Sequence, residues 1–417
     1  MAYPESIEQT QLHHLRELLG VVLQSNFFQQ SKLRNCGVDG NLDSLETFFH
    51  CCPFTTKDEL SIDQTSSPPY GTNLTYSPDR YTRFCRTSGT TGQSLVWLDR
   101  HEDWQWMLHN WEIVFHEAGV TTSDRAIFPF SFGPFLGFWA AFEAAQHLGA
   151  LSIPAGGMGS LQRLQLLMQQ RATVLCATPT YAIRLAEAAK EHDINLNKSQ
   201  IRKIIVAGEP GGSIPEIRQR IEELWPDSQV FDHHGMTEVG PVTFQTPDEP
   251  DLLHIIHASY LAEVLDPKTQ QPVPEGETGE LILTTLGRFG SPLLRYRTND
   301  LVRPVMTPRG MALQGGILGR IDDMVIIRGV NLHPAAVDAT LRKIPDIAEY
   351  QVHIDTTSAL TEIHIDIEPS PSAPPNLAEQ TEAALRSQFL LRIPVNVVPE
   401  NALPRFELKA KRWNKVT

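Results

Sequence analysis

Residues 203–238 read KIIVAGEPGGSIPEIRQRIEELWPDSQVFDHHGMTE, and their reading decides the fold. Residues 203–207 form an apolar run of strand length, Gly208-Glu209-Pro210 turns the chain, 214–224 has the pattern of an amphipathic helix, and 229–232 returns to a strand. The same alternation runs upstream. Strands are predicted over 125–130, 150–153 and 173–177, and helices over 136–148, 160–170 and 181–191. Strands separated by helices of this length imply an α/β fold with a mostly parallel sheet, whose ligands sit outside the carboxyl ends of the strands.

On the carboxyl side the pattern changes. From 252 to 311 β-rich segments such as 262–265 and 279–285 are separated by turns like Pro274-Glu275-Gly276, which predicts an antiparallel β subdomain. Beyond Gly319 the order is strand 324–328, helix 334–343, strands 350–355 and 361–368, a Pro/Ser-rich break over 369–375, helix 377–389 and strand 395–399. That is a small α+β domain of about 95 residues. The expected division is 1–321 and 322–417, joined near Asp322. On the amino side, Leu12, Leu15, Leu18, Leu19 and Val22 mark one helix, followed by irregular sequence that is Pro-rich near 66–76.

The chain has 417 residues, 41% of them apolar, so core size is no limitation for one large domain and one small one. A formal charge of -14 argues against a nucleic-acid or anionic-membrane partner and leaves room for a small anionic ligand in a local basic pocket. Five cysteines without a C-x-x-C pair, and a start without a basic patch and apolar run, suggest a reduced, cytoplasmic protein. The uncharged stretch 126–142 is short for a membrane span and is broken by Pro129, Gly133, Pro134 and Gly137.

Thr87-Ser88-Gly89-Thr90-Thr91-Gly92 is the stretch whose chemistry is most specific. Glycines let backbone N–H groups approach phosphate oxygens, and the flanking hydroxyls add rotatable donors without adding charge. Two residues lie between the glycines and Gln93-Ser94 follows, so the loop is not a Walker motif, and a P-loop kinase or GTPase is disfavoured. Standing alone, the segment also reads as a hairpin turn.

Four further segments follow in order: Asp232-His233-His234-Gly235-Met236-Thr237-Glu238, Arg295-Tyr296-Arg297-Thr298-Asn299-Asp300, Gly319-Arg320-Ile321-Asp322-Asp323-Met324 continuing to Arg328-Gly329-Val330-Asn331, and Leu403-Pro404-Arg405-Phe406-Glu407-Leu408-Lys409. With the Gly-rich loop they resemble the adenylate-forming acyl-CoA synthetase superfamily over nearly the whole chain. The phenylacetate-CoA ligase and coenzyme F390 synthetase branch is the most similar, through 296–300, Val325 to Pro334, and Pro53-Phe54-Thr55-Thr56-Lys57-Asp58.

The resemblance implies a two-step reaction in which a carboxylate displaces pyrophosphate from ATP to give an acyl-AMP, and a thiol, usually of coenzyme A, then displaces AMP. It implies that Thr87, Ser88, Gly89, Thr90, Thr91 and Gly92 hold the β- and γ-phosphates, Thr237 donates to the α-phosphate, and Glu238 binds Mg²⁺. Asp300 would accept from the ribose hydroxyls and Arg320 would add a ribose or phosphate contact. Gly208, Glu209 and Pro210 would lie against adenine, with Asp232, His233 and His234 completing the nucleotide site. Lys409 would bring a mobile ammonium to the α-phosphate. The small domain would turn about the hinge Asp322 between half-reactions, bringing Gly329 to a thiol tunnel. Partners on this reading are a small carboxylic acid, ATP and coenzyme A, with a homodimer suggested by the branch. A carrier protein, amine or phenol as acceptor, or a non-catalytic nucleotide-binding protein, remain alternatives.

Four departures from the family pattern stand out. Gln93 replaces a lysine after the loop, His234 replaces a tyrosine that stacks on adenine, and Leu408 replaces a glycine before the lysine. Thr246 and Gly315-Gly316 stand where relatives carry zinc-binding cysteines, leaving His254 and His257, which predicts no structural zinc. The acid pocket is expected along 128–139, where five phenylalanines and a tryptophan fall within twelve residues; Phe132, Phe135, Phe138, Gly156 and Gly157 are its candidate lining, and an aryl or arylacetic acid its expected ligand.

Overall fold

The computed structural model describes residues 5–34, 36–38, 40–87, 94–327, 330–355, 362–406 and 410–416. Its centre is a five-stranded parallel sheet in the order Leu151–Pro154, Arg125–Phe128, Val174–Ala177, Lys203–Ala207, Gln229–His233. Both faces are covered, and the strands divide their side chains between two cores with the two-residue period of a pleated chain. Ile127, Leu175, Ile204 and Val206 join the core under the helices Ser160–Gln169, Pro179–Glu191 and Pro215–Leu224. Ala126, Phe128, Val174, Cys176 and Ile205 join the core under His101–Glu117 and Trp139–Leu148. The first strand in sequence has neighbours on both sides, so the chain reverses its direction of travel there and leaves a crevice outside the carboxyl ends.

Most element ends fall within one or two residues of the sequence reading. The helix expected over 136–148 begins only at Trp139, because Gly137 takes φ +36 and Phe138 sits outside helical geometry as its cap. Two features were not anticipated, the helix His101–Glu117 and the short helices Phe27–Leu33, Leu45–Cys51 and Lys57–Ser66, whereas the antiparallel pair Arg83–Arg86 and Val96–Asp99 flanks the Gly-rich segment as its hairpin reading expects. Thr56 and Glu59 form a reciprocal capping box at the start of Lys57–Ser66. Beside it Thr55 makes a parallel bridge to Tyr296, so the Pro53–Asp58 motif extends the strand that carries Asp300.

Two antiparallel four-stranded sheets follow. One orders Thr243–Phe244, Leu252–Ile255, Gly310–Gln314 and Pro304–Thr307; the other orders Tyr260–Leu265, Gly279–Thr285, Tyr296–Val302 and Gly319–Arg320. Asp300 faces Arg320 across the last pair, after which the chain turns through 321–323 into the small domain. There Val395–Val397, Glu362–Pro369, Ile347–Asp355 and Trp413–Val416 form a mixed sheet against Pro334–Arg342 and Leu377–Phe389, enclosing a core of its own. Among the described residues no helix is long and apolar enough to cross a membrane.

Candidate active site

The hairpin holds the base of the Gly-rich loop. The Thr87 amide donates to the Leu95 carbonyl at 2.9 Å, the Leu95 amide donates back to Thr87 Oγ1 at 2.9 Å, and the Ser94 hydroxyl donates to the Thr87 carbonyl. Ser88, Gly89, Thr90, Thr91, Gly92 and Gln93 lie outside the described residues. So Thr87 is buried at the neck of the loop, its hydroxyl oxygen already accepting one backbone hydrogen bond.

At the far end of the same hairpin strand, Asp99 meets Arg288. Both side chains are fully enclosed, and the guanidinium forks onto the carboxylate with Nε to Oδ1 at 2.6 Å and Nη2 to Oδ2 at 2.9 Å. Its remaining nitrogen, Nη1, donates to the carbonyls of Thr237 at 3.1 Å and Glu238 at 2.6 Å. Burial pushes the Asp99 carboxyl above its usual range while the guanidinium pulls it back down. A single cation thereby ties the strand beneath the phosphate loop to the turn expected to receive the α-phosphate and metal.

Glu238 is 5% exposed, and among the described residues its carboxylate has neither a hydrogen-bond nor an ion-pair partner. A buried carboxylate without a protein cation suits a hard divalent ion with oxygen ligands, so this residue fits Mg²⁺. Behind the turn, Asp232 is committed to the backbone: Oδ2 accepts from the Ser213 amide at 2.8 Å and Oδ1 from the His233 amide at 3.0 Å. Gly316 packs so tightly over this corner that a Cβ there would stand 2.8 Å from Ser213 Cβ and 3.3 Å from Asp232 Oδ2. That closeness, together with φ +67, accounts for a glycine at this position.

His233 Nδ1 donates to the Thr243 carbonyl at 2.7 Å, and burial pushes the imidazole down to about 4. It is therefore neutral at pH 7, with its lone pair on Nε2. His234 turns the other way and brings Nε2 to 3.3 Å from Asp300 Oδ2. Arg320 donates to the other oxygen, Oδ1, at 3.1 Å and grips Asp322 with two further bonds of 2.8 and 3.0 Å. Burial opposes the Arg320 charge, but the Asp322 hydrogen bonds and the nearby Asp300 carboxylate outweigh it and raise its pKa above the usual guanidinium value. The expected ribose carboxylate, its arginine and the expected hinge aspartate thus form one connected group, and the short neighbour strand Gly319–Arg320 is what aligns them.

At the end of Lys203–Ala207, Gly208 takes φ +95 and, with Pro210, is exposed at the carboxyl edge. The Glu209 side chain does something the motif did not foretell. Its Oε1 accepts from the Thr180 amide in the first turn of Pro179–Glu191 at 2.8 Å, and its Oε2 accepts from the Ala410 amide of the small domain at 3.2 Å. Gly329, Leu408 and Lys409 lie outside the described residues.

The aromatic run gathers as expected for most of its members. Ring centroids lie 4.4 Å apart for Phe130 and Phe132, 5.5 Å for Phe130 and Phe138, 4.7 Å for Phe132 and Trp139, and 5.2 Å for Phe132 and Phe142. Trp111 extends the group to the nucleotide side, 6.1 Å from Phe138 and 4.2 Å from His233. Gly156 lies against it, where a Cβ would meet the Phe130 carbonyl at 2.8 Å and the Phe132 ring at 3.1 Å, whereas Gly157, at φ +73, borders open space. Phe135 is 45% exposed and joins none of these ring pairs, because the Gly133-Pro134 turn carries it outward while Trp139 Nε1 donates to the Gly133 carbonyl at 3.0 Å.

Residues 32–288 match the family model described as AMP-binding enzyme, and 329–414 match the AMP-binding enzyme C-terminal domain. The chain belongs to the AMP-binding enzyme family. It is 30% identical over 378 residues to the phenylacetate-coenzyme A ligase of Thermus thermophilus, an alignment covering 88% of this chain and 82% of that one. With the Pseudomonas putida phenylacetate-coenzyme A ligase it shares 29% over 376 residues, covering 87% and 82%. Its place in the family is thus among AMP-forming acid-coenzyme A ligases, which join an acid to a thiol through an acyl-AMP. A crystal structure of 2-hydroxyisobutyryl-CoA ligase in the postadenylation state, bound to 2-HIB-AMP, superposes with TM-score 0.89 at 26% identity, covering 99% of this chain and 90% of that one. Against the same ligase in its thioesterification state the TM-score is 0.73. This AMP-binding enzyme therefore superposes better on the postadenylation structure than on the thioesterification one.

His254 Nε2 is 2.9 Å from Glu249, and His257 Nε2 donates to the Met311 carbonyl at 3.1 Å. The sequence reading missed Asp99, Arg288 and Trp111. Trp111 carried a signal, since Trp104, Met107, Leu108, Trp111, Val114 and Phe115 recur at helical spacing. Asp99 and Arg288 are 189 residues apart, and no local pattern joins them.

Two outcomes are expected. Asp99→Ala leaves the Arg288 charge buried without its partner and should cost about 3–5 kcal/mol of unfolding free energy, read from urea denaturation; a loss typical of a surface pair would mean that Arg288 escapes to solvent. Acidification should also destabilise the fold. Burial holds His233 and His257 at about 4, below the ordinary histidine value, so between the two values the unfolded chain binds more protons and stability falls with pH. Each imidazole should contribute on the order of 2 kcal/mol of loss between pH 7 and pH 5, and an unfolding midpoint in urea that does not move over that range would show that neither is held neutral.

Proposed function

We propose that the acid this ligase activates is aromatic, an aryl or arylacetic acid, and that Mg²⁺ accompanies ATP at Glu238. The observation that supports it is the ring group of Phe130, Phe132, Phe138 and Trp111, which follows the strand Arg125–Phe128 and reaches His233 through Trp111. In the first step a carboxylate oxygen attacks the α-phosphorus, an acyl–O–P bond forms, and the bond to pyrophosphate breaks. Negative charge gathers on phosphorus and its oxygens, so the site must meet it with donors and cations. Thr87 to Gly92 hold the β- and γ-phosphates on this reading, Thr237 and Lys409 meet the α-phosphate, Asp300 accepts from the ribose, and Gly208-Glu209-Pro210 borders adenine. Mg²⁺ at Glu238 supplies positive charge to the phosphate oxygens. In the second step the small domain turns about Asp322, Lys409 withdraws, and Gly329 comes to the acyl-adenylate, where the thiol attacks the acyl carbon and AMP leaves.

A small hydroxy acid is a second reading. It is favoured by the likeness to 2-hydroxyisobutyryl-CoA ligase and by the neutral His233, whose Nε2 can accept a hydrogen bond from a hydroxyl.

Acid-stimulated, Mg²⁺-dependent exchange of pyrophosphate into ATP should be fastest with arylacetates, slower with 2-hydroxyisobutyrate, and slowest with decanoate. A preference for decanoate would exclude the aromatic reading, and a preference for 2-hydroxyisobutyrate would replace it with the second. Two variants separate the half-reactions. Lys409→Ala should lower adenylation by about two to three orders of magnitude, as loss of one charge-assisted contact worth roughly 3–4 kcal/mol in the transition state implies, while transfer from presynthesised acyl-AMP survives. Gly329→Leu should do the reverse, and equal loss in both steps for each variant would assign both residues to the fold.

A further inference from the structure

We propose that Glu209 is a positioning residue for the adenylation step: its carboxylate clamps the small domain in the orientation that makes acyl-AMP. The inference rests on the proposed role of Lys409. Glu209 follows Gly208 at the carboxyl edge of Lys203–Ala207, where adenine is expected, and the two oxygens of its side chain are taken up by two backbone amides. One oxygen is fixed by the Thr180 amide at 2.8 Å, in the first turn of Pro179–Glu191, where unpaired N–H groups favour a carboxylate. The other oxygen accepts from the amide of Ala410 at 3.2 Å. Ala410 is the residue after Lys409 in the chain.

Beyond Ala410 the chain is secured to the small domain. Arg412 forks onto Glu349 with bonds of 2.6 and 3.1 Å, and Trp413–Val416 pairs in parallel with Ile347–Asp355. So one end of this segment is built into the small-domain sheet and the other is held by a carboxylate of the large domain. Arg412 Nη1 also lies 3.5 Å from Thr180 Oγ1, on the same helix turn that fixes Glu209. An ion pair between the domains, Lys343 Nζ to Glu216 at 3.1 Å, is more exposed and is screened by solvent. Of these contacts the Glu209 bond is the one next to the lysine in sequence. The structure that carries it superposes better on the postadenylation form of the hydroxyisobutyryl ligase than on the thioesterification form. The carboxylate therefore biases the two-state equilibrium between the half-reactions toward the first.

The test uses the full chain, the acid that works best in exchange, and two substitutions on opposite sides of one bond. Glu209→Ala removes the acceptor; Ala410→Pro removes the donor and leaves Glu209 and the helix turn in place. Each should lower kcat for acid-dependent pyrophosphate exchange about tenfold, the population shift expected from losing one charge-assisted bond. The KM for ATP should stay within about twofold, transfer from presynthesised acyl-AMP to coenzyme A should be unchanged or faster, and the double variant should lose no more than either single one. A raised KM for ATP with kcat kept would make Glu209 a nucleotide ligand, while equal loss in both half-reactions or additive losses would make it a structural residue; each result overturns the proposal. Lys409→Ala run beside them keeps the two readings apart. If it abolishes exchange while Glu209→Ala and Ala410→Pro do not, the clamp fails and the role of Lys409 stands; if exchange survives Lys409→Ala, that role itself fails.

Discussion

The arrangement of the nucleotide site depends on one buried charge pair. Burying both Asp99 and Arg288 strips two ions of water, a penalty offset only when the geometry is good and the remaining donors are used. Here both conditions hold. The guanidinium forks onto the carboxylate and directs its other nitrogen to the carbonyls of Thr237 and Glu238, and its central carbon lies 5.0 Å from the Trp97 ring centroid. Lysine could not replace it, because a point charge lacks the planar set of donors that satisfies a carboxylate and two carbonyls together. The outcome is geometric. The hairpin that holds the phosphate loop and the turn that carries Glu238 come from distant parts of the large domain's sequence, and the pair fixes the distance between them.

A second constraint is electrical. A chain of net charge -14 must bind a polyanion, and it does so by committing its acids to specific partners around the site. Asp232 is occupied by the Ser213 and His233 amides, Asp99 by Arg288, and Asp322 by Arg320, while Glu238 keeps an uncommitted carboxylate among the described residues. The overall charge therefore says little about the local potential that a nucleotide meets. Burial adds to the same end by holding His233 neutral, so the aromatic side of the site presents ring faces and a lone pair and carries no charge there.

Much of this architecture was legible in the sequence. The parallel sheet showed itself because its strands are apolar on both faces and its helices on one, so the period changes at each junction. The antiparallel sheets were read more coarsely, since their strands are short and their pairing partners distant: Thr243–Phe244 meets Leu252–Ile255, which meets Gly310–Gln314. Asp300, Arg320 and His234 were legible as site candidates through motif resemblance, but their mutual contact was not, because it depends on the short strand Gly319–Arg320 pairing back on Tyr296–Val302. The exposure of Phe135 was not legible, because composition does not say which way a Gly-Pro turn will throw a side chain. Glu209 was placed by its motif near adenine, and its actual partners, Thr180 and Ala410, lie 29 and 201 residues away.

The departures from the family pattern have physical consequences within this framework. Against the tyrosine that the family resemblance implies, histidine at position 234 surrenders ring area for stacking and places a ring nitrogen 3.3 Å from Asp300. Asp300 is then flanked by His234 on one oxygen and Arg320 on the other. The Arg320 bond fixes one oxygen of the carboxylate, and the His234 ring borders the other. The same substitution couples the adenine side of the site to Arg320 and, through its two bonds to Asp322, to the point where the chain enters the small domain. Asp300, Arg320 and Asp322 thus form one hydrogen-bonded group from the strand Tyr296–Val302 to the point where the chain enters the small domain, with the His234 ring against its near end.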